Sequence, residues 1–93
     1  MLYFYDDVET RHLLASYLKQ QRKQAKLSRE QLAQKAQVPA STIRRFETTG
    51  NISLKQFLAL WLVLDNLERL VELTQPKPAM PKTIEEVLGE YHR

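Results

Sequence analysis

Cysteine is absent from the 93 residues. Its absence excludes a disulfide framework, thiolate metal sites and a cysteine nucleophile. Glycine is scarce, with two in the chain, so the one at position 50 stands out as punctuation. Strand signals are equally scarce: only Leu2 to Tyr5 has the aromatic content of a strand, and it serves equally well as an arm. No apolar run approaches membrane-spanning length. The longest, Phe57 to Leu64, is eight residues, where a spanning helix needs about 20. Leu2 to Tyr5, followed at once by Asp6 and Asp7, does not resemble a signal peptide, and a soluble, cytoplasmic chain is expected. There is no internal repeat. His12 and His92 have no carboxylate pair or nucleophile spaced beside them, so no enzyme activity, metal or cofactor is expected.

Acidic residues are also missing from one long stretch. Arg11 to Lys55 holds ten Lys or Arg and two acids, a local charge of +8 inside a chain whose formal net charge is +3. The first ten residues carry three acids and no base, and Gln56 to Arg93 carries four bases and six acids. Segregation of this kind points to a polyanionic partner.

What is present reads as helix. A first helix is expected from Val8 to about Ala25, with Asp7 as its N-cap and Leu13, Leu14, Tyr17, Leu18 and Gln21 at helical spacing. Ser28 and Gln31 have the capping-box spacing that opens a second helix, with Leu32, Ala33 and Ala36 facing inward. Gln37 and Val38 form a tight connection. Pro39 then starts a third helix, Ala40 to about Thr48, because a missing N–H costs nothing at a helix start. In that helix Ile43 and Phe46 share one face, while Ser41, Thr42, Arg44 and Arg45 cover much of the rest. Gly50 suits the left-handed position just beyond its end.

Ser53 caps a fourth helix that is apolar all round, which a helix tolerates only when buried on every side. A chain this short cannot bury it alone, so a second copy is expected to cover part of it. Phe57, Trp61 and Leu64 are the expected dimer interface, with Trp61 fitting ordinary core as well. A fifth helix is expected from Asp65 to Leu73. Three prolines in Gln75 to Lys82 favour an extended spacer. Thr83 and Glu86 then open a short acidic helix to about Tyr91. The division is therefore an arm or short strand over 1–7, a helical domain over 8–74, a proline-rich linker over 75–82 and an acidic helix over 83–93.

Ser28 to Phe46 is thus helix, tight connection, helix, the helix-turn-helix pattern whose second helix enters the major groove of duplex DNA. Arg suits that groove because its planar fork matches guanine O6 and N7 together, and Ser41 and Thr42 reach phosphate or base edges. Lys19, Lys23 and Lys26 read as a solvated face that adds to the attractive field.

The run LKQQRKQAKLSREQLAQKAQVPASTIRRFETTGNISLKQFLAL, Leu18 to Leu60, resembles the Cro/repressor-type helix-turn-helix family, also called the XRE family. The likeness continues to Leu73 and is carried by LSREQLA, the Val38 position, STIRRFE and SLKQFLAL. It implies an all-α, five-helix, lambda-repressor-like DNA-binding domain, here with a short C-terminal extension, acting as a homodimeric repressor on a palindromic operator. It also implies roles for single residues. Arg29, just after the helix-two cap, touches phosphate or base. Ala40, Ser41 and Arg45 read bases, and Arg44 lies near the backbone or groove wall. Arg22 and Glu47 form a structural ion pair. Two departures stand out. Gln37 replaces the usual turn glycine and must take a left-handed conformation, and Pro39 replaces the usual Ser or Thr cap. Ala40 lacks a hydrogen-bonding side chain and shifts reading to Ser41 and Arg45. The N-terminal YFYDD, the Trp61 helix and the PKPAMPK-acidic tail also resemble HipB-type antitoxins, which implies an alternative in which the chain holds a HipA-like kinase toxin and Glu85, Glu86 and Glu90 contact it.

Overall fold

The computed structural model describes residues 5–77. Five α-helices and a closing 3₁₀ turn lie among them: α1 Asp7–Gln24, α2 Arg29–Ala36, α3 Ala40–Thr49, α4 Leu54–Leu64 and α5 Glu68–Val71, with the turn at Glu72–Thr74. The architecture is all-α, as the periodicity predicts. Of the expected arm or strand, Leu2 to Tyr5, all but Tyr5 lies outside the described residues, as do the proline-rich linker beyond Lys77 and the acidic helix.

Local chemistry sets the boundaries. α1 begins one residue earlier than expected because Asp6, not Asp7, caps it: the Asp6 carboxylate accepts from the Glu9 N–H at 2.7 Å. Asp7 instead pairs with Arg11 one turn on, at 3.1 Å. α2 opens with the predicted capping box, Ser28 Oγ accepting from Gln31 N–H at 3.0 Å and Gln31 Oε1 from Ser28 N–H at 2.8 Å. Gln37 ends α2 with φ 57° and ψ 42°, the left-handed conformation that the turn imposes on it in glycine's place. Pro39 gives α3 no side-chain cap. Its carbonyl accepts from the N–H groups of Thr42 and Ile43 at 3.0 and 3.1 Å. Gly50 closes α3 at φ 77°. A Cβ there would also stand 3.0 Å from the Cβ of Arg11, so both conformation and space require glycine.

The core is the meeting of α1, α2, α3 and α4. Leu18 of α1, Leu32 of α2, Ile43 and Phe46 of α3 and Leu60 of α4 are the largest fully buried side chains. Each contributes roughly 1.5–3 kcal/mol by leaving water. Phe46 meets Phe57 edge-on at 5.9 Å between centroids, and Phe57, Trp61 and Tyr17 continue the aromatic cluster at 5.7 and 5.5 Å.

α4 is covered by its own chain on part of its circumference only. Its own chain buries Phe57, Leu60 and Trp61 and half-buries Leu58, Val63 and Leu64. Leu54 and Leu62 are left 72% and 60% exposed. The fifth helix is also shorter than expected. Asp65 is extended, and Asn66 Oδ1 accepts from Glu68 N–H at 2.8 Å, so the chain turns for three residues, Asp65 to Leu67, before becoming helical again. Trp61 fixes this corner by donating from Nε1 to the Asn66 carbonyl at 2.8 Å.

Candidate nucleic-acid interface

α3 is held from below and open above. Ile43 and Phe46 are 1% and 2% exposed, set deep against α1, α2 and α4. At 100° per residue, Ser41, Arg44, Arg45 and Thr48 occupy the opposite face, and all four are exposed. Ala40 and Thr42 flank them, half-exposed. Neither Arg44 nor Arg45 joins an ion pair among the described residues. Their guanidinium groups are uncommitted cations on a short, solvent-facing cylinder. Thr48, not among the expected contact residues, also lies on this face. The signal was available, since Thr48 stands four residues after Arg44 and seven after Ser41. Its hydroxyl donates to the Arg44 carbonyl at 2.9 Å.

Beneath one end of α3 lies the ion pair between Arg22 and Glu47. Arg22 donates from Nε to Glu47 Oε2 at 2.7 Å and from Nη2 to Oε1 at 3.2 Å, and it spends Nη1 on the Leu27 carbonyl at 2.9 Å. The two side chains are 9% and 4% exposed. Arg29 joins them. Its Nε donates to Glu47 Oε1 at 2.9 Å, so a residue singled out for DNA contact has an intramolecular carboxylate as its partner. Burial alone would push the Glu47 carboxyl up. The hydrogen bonds and charges of Arg22 and then Arg29 outweigh it and hold the group below its ordinary value.

Phe57 and Trp61, expected at a dimer interface, are instead 9% and 4% exposed inside their own chain's core. Leu64 is half-buried. Exposed aliphatics on these elements are Leu54 and Leu62 on α4, Val71 on α5 and Leu73 in the closing turn. A polar clamp joins α5 to α1. Tyr17 Oη donates to Asp65 Oδ2, and Arg69 reaches the same carboxylate at 2.7 Å while lying 5.5 and 5.6 Å over the Tyr17 and Trp61 rings. The Tyr17 hydrogen bond, helped by the Asn66 N–H and Arg69, holds Asp65 below its ordinary value against the opposing effect of desolvation.

A buried underside, a tight left-handed turn before it and an exposed cationic upper face make α3 the second helix of a helix-turn-helix arrangement. The family comparison agrees: a model described as a helix-turn-helix domain matches residues 13–60, more than half of the chain. The chain belongs to the helix-turn-helix domain family. Comparison with curated proteins gives no match, and comparison with solved structures gives none. The match covers α2, the turn and α3 whole, together with most of α1 and α4. A helix-turn-helix unit binds duplex DNA through its second helix, which here is α3. No described helix is long and apolar enough to cross a membrane.

Proposed function

We propose that the chain is a sequence-specific transcriptional repressor of the Cro/repressor type, binding a palindromic operator as a homodimer. The observation that carries this reading is the two-sidedness of α3: Ile43 and Phe46 are buried, and Ser41, Arg44 and Arg45 are free on the other side. The major groove admits a helix and distinguishes all four base pairs. Arg45 and Ser41 read base edges, Arg44 and Thr42 hold the groove wall and phosphates, and Ala40 gives close approach at the start of the helix. The basic segment from Arg11 to Lys55 supplies sequence-independent affinity by releasing counterions.

One ten-residue helix reads too few base pairs to choose a site alone. Two copies with recognition helices one DNA turn apart read a symmetric pair of half-sites. Leu62, Val71 and Leu73 are the exposed apolar side chains that a second copy would cover. Repression then follows from occupancy.

The deciding experiment selects duplexes from a randomised pool with the full chain and footprints the result. A palindrome with half-site centres about 10 base pairs apart is the expected outcome. Enrichment of no sequence at low salt would end this reading. The antitoxin alternative rests mainly on the tail beyond Lys77, outside the described residues. Deleting Pro76 to Arg93 leaves operator binding intact if the chain is a repressor in its own right.

A further inference from the structure

We infer that Arg29 is a positioning residue: it ties the free end of α2 to the far end of α3 through Glu47, fixing the angle at which the recognition helix is presented, and is not itself a DNA contact. The inference rests on the DNA-binding reading above and changes the role of one residue within it.

α2 and α3 are joined at Gln37 to Pro39, so the turn acts as the apex of a V. Arg29 is the first residue of α2 and Glu47 lies in the last turn of α3. The Arg29 Nε–Glu47 Oε1 bond of 2.9 Å therefore spans the two ends that the apex leaves least constrained. The lever is long enough to matter. The eight residues of α2 span about 12 Å, and a rotation of about 5° at the apex moves the tip by about 1 Å. Base readout tolerates misplacement of roughly 0.5 Å.

The chemistry of the triad supports the same role. Glu47 is 4% exposed and accepts three charge-assisted hydrogen bonds, two from Arg22 and one from Arg29. Arg22 alone would neutralise it. A second arginine adds geometric constraint, because the Nε of a planar guanidinium is a donor of fixed direction. The Arg29 side chain is 30% exposed, whereas Arg44 and Arg45 are exposed. The residue that would face a phosphate is turned inward.

The test uses the full chain, a duplex selected by the wild type from a randomised pool, and a duplex of random sequence. Arg29→Gln removes the Nε donor, and Arg29→Lys keeps the charge but loses the fork. A positioning role predicts that both variants weaken binding to the selected duplex by roughly tenfold and to the random duplex by less than about twofold. The slope of log K against log salt then stays unchanged, since no phosphate contact is lost. A slope that shrinks by about one in Arg29→Gln and recovers in Arg29→Lys overturns the proposal, as does unchanged discrimination between the two duplexes. A readout without DNA separates this failure from failure of the DNA reading. In either variant, carbon-detected NMR titration of the Glu47 carboxyl should move towards the ordinary glutamate value, and amide exchange should rise at the start of α2. Absence of both changes removes the tie whether or not the chain selects any duplex.

Discussion

At the scale of single residues, the chain departs from ideal helix-turn-helix chemistry at the turn. Gln37 has a side chain where the backbone asks for none, at φ 57°. Left-handed backbone costs an ordinary L-residue roughly 1 kcal/mol or more. Its side chain recovers little, since the bond from Nε2 to the Gln34 carbonyl is 3.3 Å long and solvent-exposed. Gln37→Gly should therefore raise stability by about 0.5–1 kcal/mol, after the entropy that glycine adds to the unfolded chain. A thermal melt should shift upward by a few degrees; an unchanged or lower midpoint would mean that the conformation is not strained. Arg45 is the second residue-scale prediction. Arg45→Ala should cost about 1–3 kcal/mol of operator affinity and relax preference at one position in each half-site. Binding to a panel of single-base operator variants checks it, and an unchanged ranking would assign base reading elsewhere.

At the scale of elements, the helices are joined by one carboxylate as well as by the core. Glu47 lies on α3, and its partners come from the last turn of α1 and the first residue of α2. Removing one partner from a buried pair is costly because the other charge is left uncompensated. Glu47→Gln strands two guanidinium groups and should destabilise the fold by about 3 kcal/mol at neutral pH, read from urea midpoints. The pH dependence has a definite sign. Glu47 is held below the ordinary glutamate value, so the unfolded chain binds the proton more readily. The stabilisation is complete above the unfolded carboxyl's value and is lost as pH falls through the folded one. Wild-type urea midpoints should therefore drop on acidification below about pH 4.5, and the drop should be shallower in Glu47→Gln. Asp65, also held low, contributes with the same sign, so part of the slope should survive.

At the scale of the whole molecule, the exposed aliphatics are where assembly would act. Leu62, Val71 and Leu73 are 60%, 54% and 79% exposed, while Phe57 and Trp61 are consumed by the core. If the chain pairs through these side chains as proposed, Leu62→Glu combined with Val71→Glu should give a monomer by sedimentation at concentrations where the wild type sediments as a dimer. Operator affinity should fall by at least tenfold because the two half-sites are no longer linked, with little change in the melting midpoint. A variant that remains dimeric would move the interface to another face.

The sequence by itself determined the helices and their punctuation. Ser28 with Gln31, Pro39, Gly50 and Ser53 act within one turn of themselves, so local chemistry places four of the boundaries without reference to the rest of the chain. It also determined which face of α3 is polar, because the 3.6-residue period fixes that before any packing occurs. Boundaries with competing local signals were not fixed in this way: Asp6 and Asp7 both cap plausibly, and Asp65 and Asn66 interrupt a run that reads as continuous helix. Apart from the Arg22–Glu47 pair, which the family resemblance implied, only the tertiary structure decided the long-range pairings. Arg29 finds Glu47 18 residues away, and Tyr17 finds Asp65 48 residues away; no local period encodes such distances. The same holds for α4. Its apolar circumference announces burial, but which side is covered by its own chain depends on where the other helices pack: Phe46 of α3 meets Phe57, and Tyr17 of α1 meets Trp61.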